Sequence, residues 1–158
     1  MRWMSDDERE ARRPSFDWRA IARGSLVGFV GSLAVIGLIA FLRHTLNGFA
    51  RTGAETAVSL LILVAYFAGG YFSTDLETRS PAASGAIAGI ATALLDWSVS
   101  IAVWLMRRPD HFLQGPQRQH PGIALLGPLI FGAILGALGG MWAGRNRSAS
   151  RALDDDTP

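Results

Sequence analysis

Charge is segregated along this chain, and that pattern decides the class of fold before any motif is considered. Twenty-eight of the 158 residues are charged, and nearly all of them sit in the two ends and in three short connectors. A water-soluble domain spreads charge over the outer face of each amphipathic helix. A charge at the centre of a bilayer costs ~2.5–3.5 kcal/mol on insertion scales, so a chain that crosses a membrane clears its spans of charge.

A spanning helix takes roughly 20 largely apolar residues. Four runs qualify: residues 24–42, about 57–72, about 82–106 and about 122–144. Arg23 and Arg43 bound the first, Glu55 and Asp75 the second, while Arg107 and Arg108 close the third and Arg145 and Arg147 the fourth. The second is the shortest, with Tyr66 and Tyr71 placed for a helix that ends at the interface. The first is 19 residues long and follows a 23-residue leader. That exceeds the apolar stretch of about 7–15 residues in a secretory signal, so it reads as a retained helix. The sequence therefore predicts an all-α integral membrane four-helix bundle over residues 16–146, as one domain. A disordered charged tail occupies 1–15 and a polar tail 147–158, the latter holding the acidic run Asp154, Asp155 and Asp156.

Orientation follows the arginines, which are all fifteen of the basic residues. Six lie in residues 1–23, one (Arg79) in the second connector and three (Arg145, Arg147, Arg151) after the last span. The opposite side has Arg43, Arg51, Arg107, Arg108 and Arg118. Ten against five puts both termini in the cytoplasm of a multi-pass protein of the bacterial inner (plasma) membrane. Phe16, Trp18 and Ile21 suit a short interfacial lead-in to the first span. Trp18 and Trp142 mark the inner interface, and Trp104 the outer one. The arginines form no basic stripe with interleaved aromatics, so nucleic acid is not an expected partner. Their exclusive use is put down to codon bias in a GC-rich genome. There are no cysteines, which leaves no disulfide, thiolate or cysteine-zinc chemistry.

Small residues recur at four-residue spacing, and within lipid such residues let helices approach closely. The fourth span carries Gly132, Gly136, Gly140 and Gly144, and the first Gly24 and Gly28, with Gly31 and Ser32 beyond. The second has Gly69 and Gly70, the third Gly85 and Gly89. Glycine-mediated helix packing is the expectation. An echo between Arg23–Gly28 and Ser84–Gly89, and between Ala68–Tyr71 and Leu138–Met141, suggests two parallel α-hairpin repeats. Pro121 suits a first helical turn, whereas Pro128 implies either a kink or a later start of the regular helix.

The Gly69-Gly70 pair near the end of span two, the short polar connector, Gly85 and Gly89 opening span three, and the Gly139-to-Arg145 exit from span four form an ordered set. In that order they resemble small, uncharacterised four-span bacterial membrane proteins, over roughly residues 20–146. The resemblance implies a compact four-helix fold and no assigned activity.

Chemistry is sparse. Asp96 is the one ionisable side chain deep in a span, and an intramembrane acid is a functional-site hypothesis by default. Gly85, Gly89, Thr92, Asp96 and Ser100 step by four, three, four and four, which predicts one stripe facing protein. Two readings are open. Asp96 is an ion or proton site with Thr92, Ser100 and Tyr66 as hydroxyl neighbours, or it is a hydrogen-bonded acid that ties helices through those same hydroxyls. His44, His111 and His120 fall in the outer connectors at a spacing that fits no metal box. No catalytic set, cofactor or metal is expected. The partners are the lipid bilayer and either further copies of the chain or a larger membrane complex. The expected function is a non-enzymatic structural or accessory bundle, the alternative a small transporter or channel that uses Asp96.

Overall fold

The computed structural model describes residues 16–46, 53–74, 80–107 and 121–155, and these form four α-helices with no strand among them. They are α1 (Trp18–Thr45), α2 (Gly53–Phe72), α3 (Pro81–Arg107) and α4 (Pro121–Asp155). The end segment 1–15 and the connector bearing His111 and His120 lie outside the described residues, as do the side chain of Trp104 and the connector at 75–79.

α1 begins six residues before the apolar run because Asp17 caps it. The Asp17 carboxylate accepts from the backbone N–H of Arg19 at 2.9 Å and of Ala20 at 3.3 Å, two of the four donors that a helix start leaves unpaired. This corrects the interfacial lead-in. Ala20 and Ile21 are buried in protein, and of the three proposed interfacial residues Trp18 is the one turned outward, at 65% exposure. α4 starts at Pro121 and runs through Pro128 to Asp155, well past the apolar run.

Side-chain sizes are distributed inversely to those of a water-soluble protein. The largest fully buried side chains are Thr74, Thr92, Ser32, Ser73 and Ser84, with Ala88, Ala93 and Ala143 beside them. Leu26, Phe41, Val64, Phe131 and Ile134 are exposed. A protein surrounded by lipid has no reason to hide large apolar groups and every reason to place small ones between helices. Among the described residues, three stretches are long and apolar enough to cross a membrane: Trp18–Thr45, Pro81–Val103 and Leu125–Arg147. The apolar part of α2, Thr56–Phe72, is shorter, although the whole helix has 20 residues, about 30 Å at 1.5 Å per residue. The chain is a membrane protein built of helices.

The helices stand at the corners of a rhombus. α2 and α3 each touch all three others, while α1 and α4 do not meet. Register follows from what a methyl group on each glycine would strike. On Gly24 it would fall 2.6 Å from Cβ of Ser73, and on Gly31 3.1 Å from Cβ of Ala65, so α1 and α2 are antiparallel. On Gly85 it would land on the Gly136 carbonyl oxygen, and on Gly89 on that of Gly132, so α3 and α4 are antiparallel too. Ser25 reaches the carbonyl of Ala88 at 3.4 Å and Ser32 reaches Asp96, which makes α1 and α3 parallel.

The C-terminal end of α2 is held by arginines from both of its far neighbours. Arg23 of α1 donates from Nε to the Phe72 carbonyl at 3.4 Å, and Arg147 of α4 donates from Nη1 to the carbonyl of Thr74 and, at 3.3 Å, to its hydroxyl. Cations here satisfy carbonyls that the helix cannot, at the negative end of its dipole. Arg147→Met should lower stability by ~1 kcal/mol, the lower range of a partly exposed charged hydrogen bond. Thermal unfolding of the detergent-solubilised protein measures it, and an unchanged midpoint would count against the clamp.

Candidate functional site

Asp96 lies midway along α3, and its two carboxylate oxygens are taken by hydroxyls from two other helices. Ser32 of α1 reaches Oδ1 at 2.5 Å, and Tyr66 of α2 donates to Oδ2 at 2.9 Å. Ser32 is fully buried and Tyr66 is 7% exposed. The fourth helix completes the layer. Gly132 of α4 lies against the edge of the Tyr66 ring, which a methyl group there would approach to 3.3 Å. All four helices thus contribute at the level of one acid.

Ser32 has a second acceptor within reach, the Phe29 carbonyl at 2.8 Å. A hydroxyl carries one proton and cannot serve both at once. When Ser32 donates to Asp96, the carboxylate is held as an ion by two O–H groups. When it donates to Phe29, the Ser32–Asp96 contact requires the proton to sit on Asp96. The cluster can therefore hold the acid in either protonation state without moving a heavy atom.

Of the hydroxyls expected around Asp96, the geometry gathers Tyr66 and separates the other two. Thr92 is fully buried, and its Oγ1 faces the carbonyls of Ala88 at 2.9 Å and of Ser25 at 3.2 Å. It joins α3 to α1 one turn below the acid. Ser100 is exposed and donates to the backbone carbonyl of Asp96 at 2.8 Å, not to its carboxylate. The stripe does not face one neighbour throughout, and Ser100 lies about 40° further round the helix than Asp96. Gly85 and Gly89 meet α4, Thr92 and Asp96 meet α1, and Ser100 has turned out of the bundle. Tyr66 is buried against Asp96 and is no interfacial marker, and Tyr71 packs edge-on to Phe72 with ring centres 5.5 Å apart.

Ser32 is the residue that the α3 pattern alone does not yield. Its signal is on the other helix, four residues beyond Gly28 and eight beyond Gly24, on the face that packs inward. No metal-sized group of three His, Asp or Glu occurs among the described residues, where His44 is exposed near the end of α1.

No protein-family model matches the chain, and neither a curated protein nor a solved structure matches it.

Hydrogen bonds between helices in a bilayer average ~0.6 kcal/mol and reach ~1.7. Ser32→Ala and Tyr66→Phe should each cost ~0.5–1.5 kcal/mol, and the double mutant less than their sum, since they share one acid. Ser100→Ala should stay within ~0.5 kcal/mol of the parent. Equilibrium unfolding in mixed micelles ranks the four proteins, and a Ser100→Ala loss as large as that of Tyr66→Phe would remove Asp96 from the centre of the network.

Proposed function

We propose that the chain is a non-enzymatic integral membrane protein, a four-span structural or accessory bundle that oligomerises or docks on a larger membrane complex. The observation that carries this reading is the satisfaction of Asp96. Both of its oxygens are engaged by other helices, and an acid so committed serves to fix the arrangement of three helices. An open coordination site would leave carboxylate lone pairs facing a cavity.

Glycine-mediated packing is the second element of the proposal. The α3–α4 seam is supported by Gly85 and Gly89 lying against the backbone of Gly132, Gly136 and Gly140. The α1–α2 seam has Gly24 against Gly69 and Ser73. The α2–α4 seam has Gly70 against Gly136, and Gly139 against Phe67 and Tyr71. Such approaches bring Cα–H groups onto carbonyl oxygens, worth ~0.5–1 kcal/mol each. The two seams within the hairpins, α1–α2 and α3–α4, are alike in using an opening GxxxG, which supports the parallel hairpin repeat. Beyond the packed seams the surface is apolar, with Leu60 and Val64 on α2 and Leu126 and Ile130 on α4, and it meets lipid or a neighbouring protein equally well.

The α2 span and both cytoplasmic termini belong to this proposal. The chain has no cysteine, so single replacements report without background. Ser5→Cys and Ser148→Cys should resist a membrane-impermeant maleimide in intact cells while Gln117→Cys reacts. Reaction at all three, or at one terminus alone, contradicts four spans with both termini inside.

The functional test uses the whole protein. Native mass measurement in mild detergent should find an assembly heavier than one chain. Asp96→Asn should keep the fold and leave proteoliposomes as tight to protons and cations as the parent. A monomer that conducts, and stops conducting on Asp96→Asn, makes the chain a transporter or channel instead. Gly89→Ile should break the bundle, costing several kcal/mol because the neighbour is backbone and cannot yield, whereas Gly37→Ala, with nothing within 4 Å, should be neutral or slightly stabilising.

A further inference from the structure

We propose that the groove between the start of α3 and the end of α4 is a binding site for one anionic phospholipid, its phosphate held by Arg145 and an acyl chain lying along the groove. The cavity measures about 890 Å³, within the ~300–1,000 Å³ of pockets that hold a small ligand. Its walls divide by chemistry along the helix axes. Pro81, Ala82 and Ala83 form one side, and Leu138 and Met141 the other. These offer apolar surface with no polar group to recognise anything but hydrocarbon. At the end where α4 leaves its apolar run stand Trp142 and Arg145, with Ser80 across from them.

Three observations select the occupant. The first is continuity with the outer surface: Leu138 and Met141 are each 44% exposed and Trp142 55%, so the groove opens sideways onto the face that meets lipid. A tryptophan at this level anchors at the headgroup layer. The second is the division of labour among the arginines at this end. Arg23 and Arg147 are spent on the carbonyls of Phe72 and Thr74. Arg145 is exposed and lines the groove, and its side chain makes no hydrogen bond or ion pair with any described residue. The third is width. Gly144 lines the groove as well, and a methyl group there would stand 3.1 Å from the Pro81 ring, narrowing the entrance beside Arg145. A guanidinium binds phosphate bidentately, and basic pockets between spans are where anionic headgroups bind. An apolar trough that ends in a guanidinium with no partner among the described residues fits an acyl chain joined to a phosphate, and fits neither part alone as well.

The inference rests on the bundle crossing the bilayer, which the cysteine labelling tests separately, and not on what the bundle does there. Full-length protein, delipidated in detergent, is titrated with phosphatidylglycerol or phosphatidylcholine and read by native mass measurement. One phosphatidylglycerol should bind in preference to phosphatidylcholine. Arg145→Gln should weaken it about fivefold, the worth of one basic side chain near an anionic surface, and remove the preference. Ala83→Leu, which keeps the charge and fills the trough, should weaken both lipids. Glycerol phosphate, the headgroup without its chains, should not compete. Equal retention of the two lipids by the parent overturns the proposal. So does full competition by glycerol phosphate, which would make this a site for a free anion. A loss of thermal stability in Arg145→Gln with lipid retention unchanged also overturns it, by showing that Arg145 serves the chain internally.

Discussion

A single carboxylate in the middle of a helix with no other charge before its terminal arginine governs how this protein can be arranged. In hydrocarbon an unsatisfied ionised group costs several kcal/mol, and no water is present to relieve it. Asp96 must therefore be met by donors, and donors on α3 itself are misplaced: Ser100 lies a turn away and bonds to the backbone. The partners have to arrive from other helices. Ser32 and Tyr66 do so only if α1 lies parallel to α3 in one register and α2 antiparallel in another. One residue thereby fixes the relative height of three helices. Apolar packing alone would let them slide.

Small residues supply what the acid requires. For a serine hydroxyl on α1 to come within hydrogen-bonding distance of a short aspartate on α3, the two backbones must be close. Gly28 and Thr92 meet at that seam one turn away, where a methyl group on Gly28 would stand 2.8 Å from the threonine hydroxyl. Gly132 does the same for Tyr66, leaving room for the ring edge between α2 and α4. The polar cluster and these close glycine contacts thus lie side by side on the same helices.

Much of this was legible in the sequence, and the parts that were not share a cause. The apolar runs placed four helices near their observed positions because exclusion of charge is a one-dimensional signal. Asp96 was visible for the same reason. Tyr66 could be named as a neighbour, but Ser32 could not, since choosing a partner requires knowing which helices are parallel and at what offset. Thr92 and Ser100 were assigned to the acid from their spacing on one helix. Thr92 is taken up instead by the carbonyls of Ala88 and Ser25, and Ser100 by the backbone of its own helix. The apolar run closes at Arg23, which sets the expected start of α1 late. Asp17 is a cap, and a cap extends a helix beyond its apolar run.

The shortest helix is tied to each of its three neighbours by a polar bond within it or just past its end. α2 has 20 residues and a still shorter apolar stretch. Its position is set by protein: Tyr66 bonds to α3, Arg23 reaches its last turn from α1, and Arg147 reaches just beyond it from α4. The arginine contacts also bring cations of the flanking helices to the negative end of the α2 dipole, where they are worth more than in water. With Arg23 and Arg147 committed in this way, Arg145 is left exposed over the groove between α3 and α4.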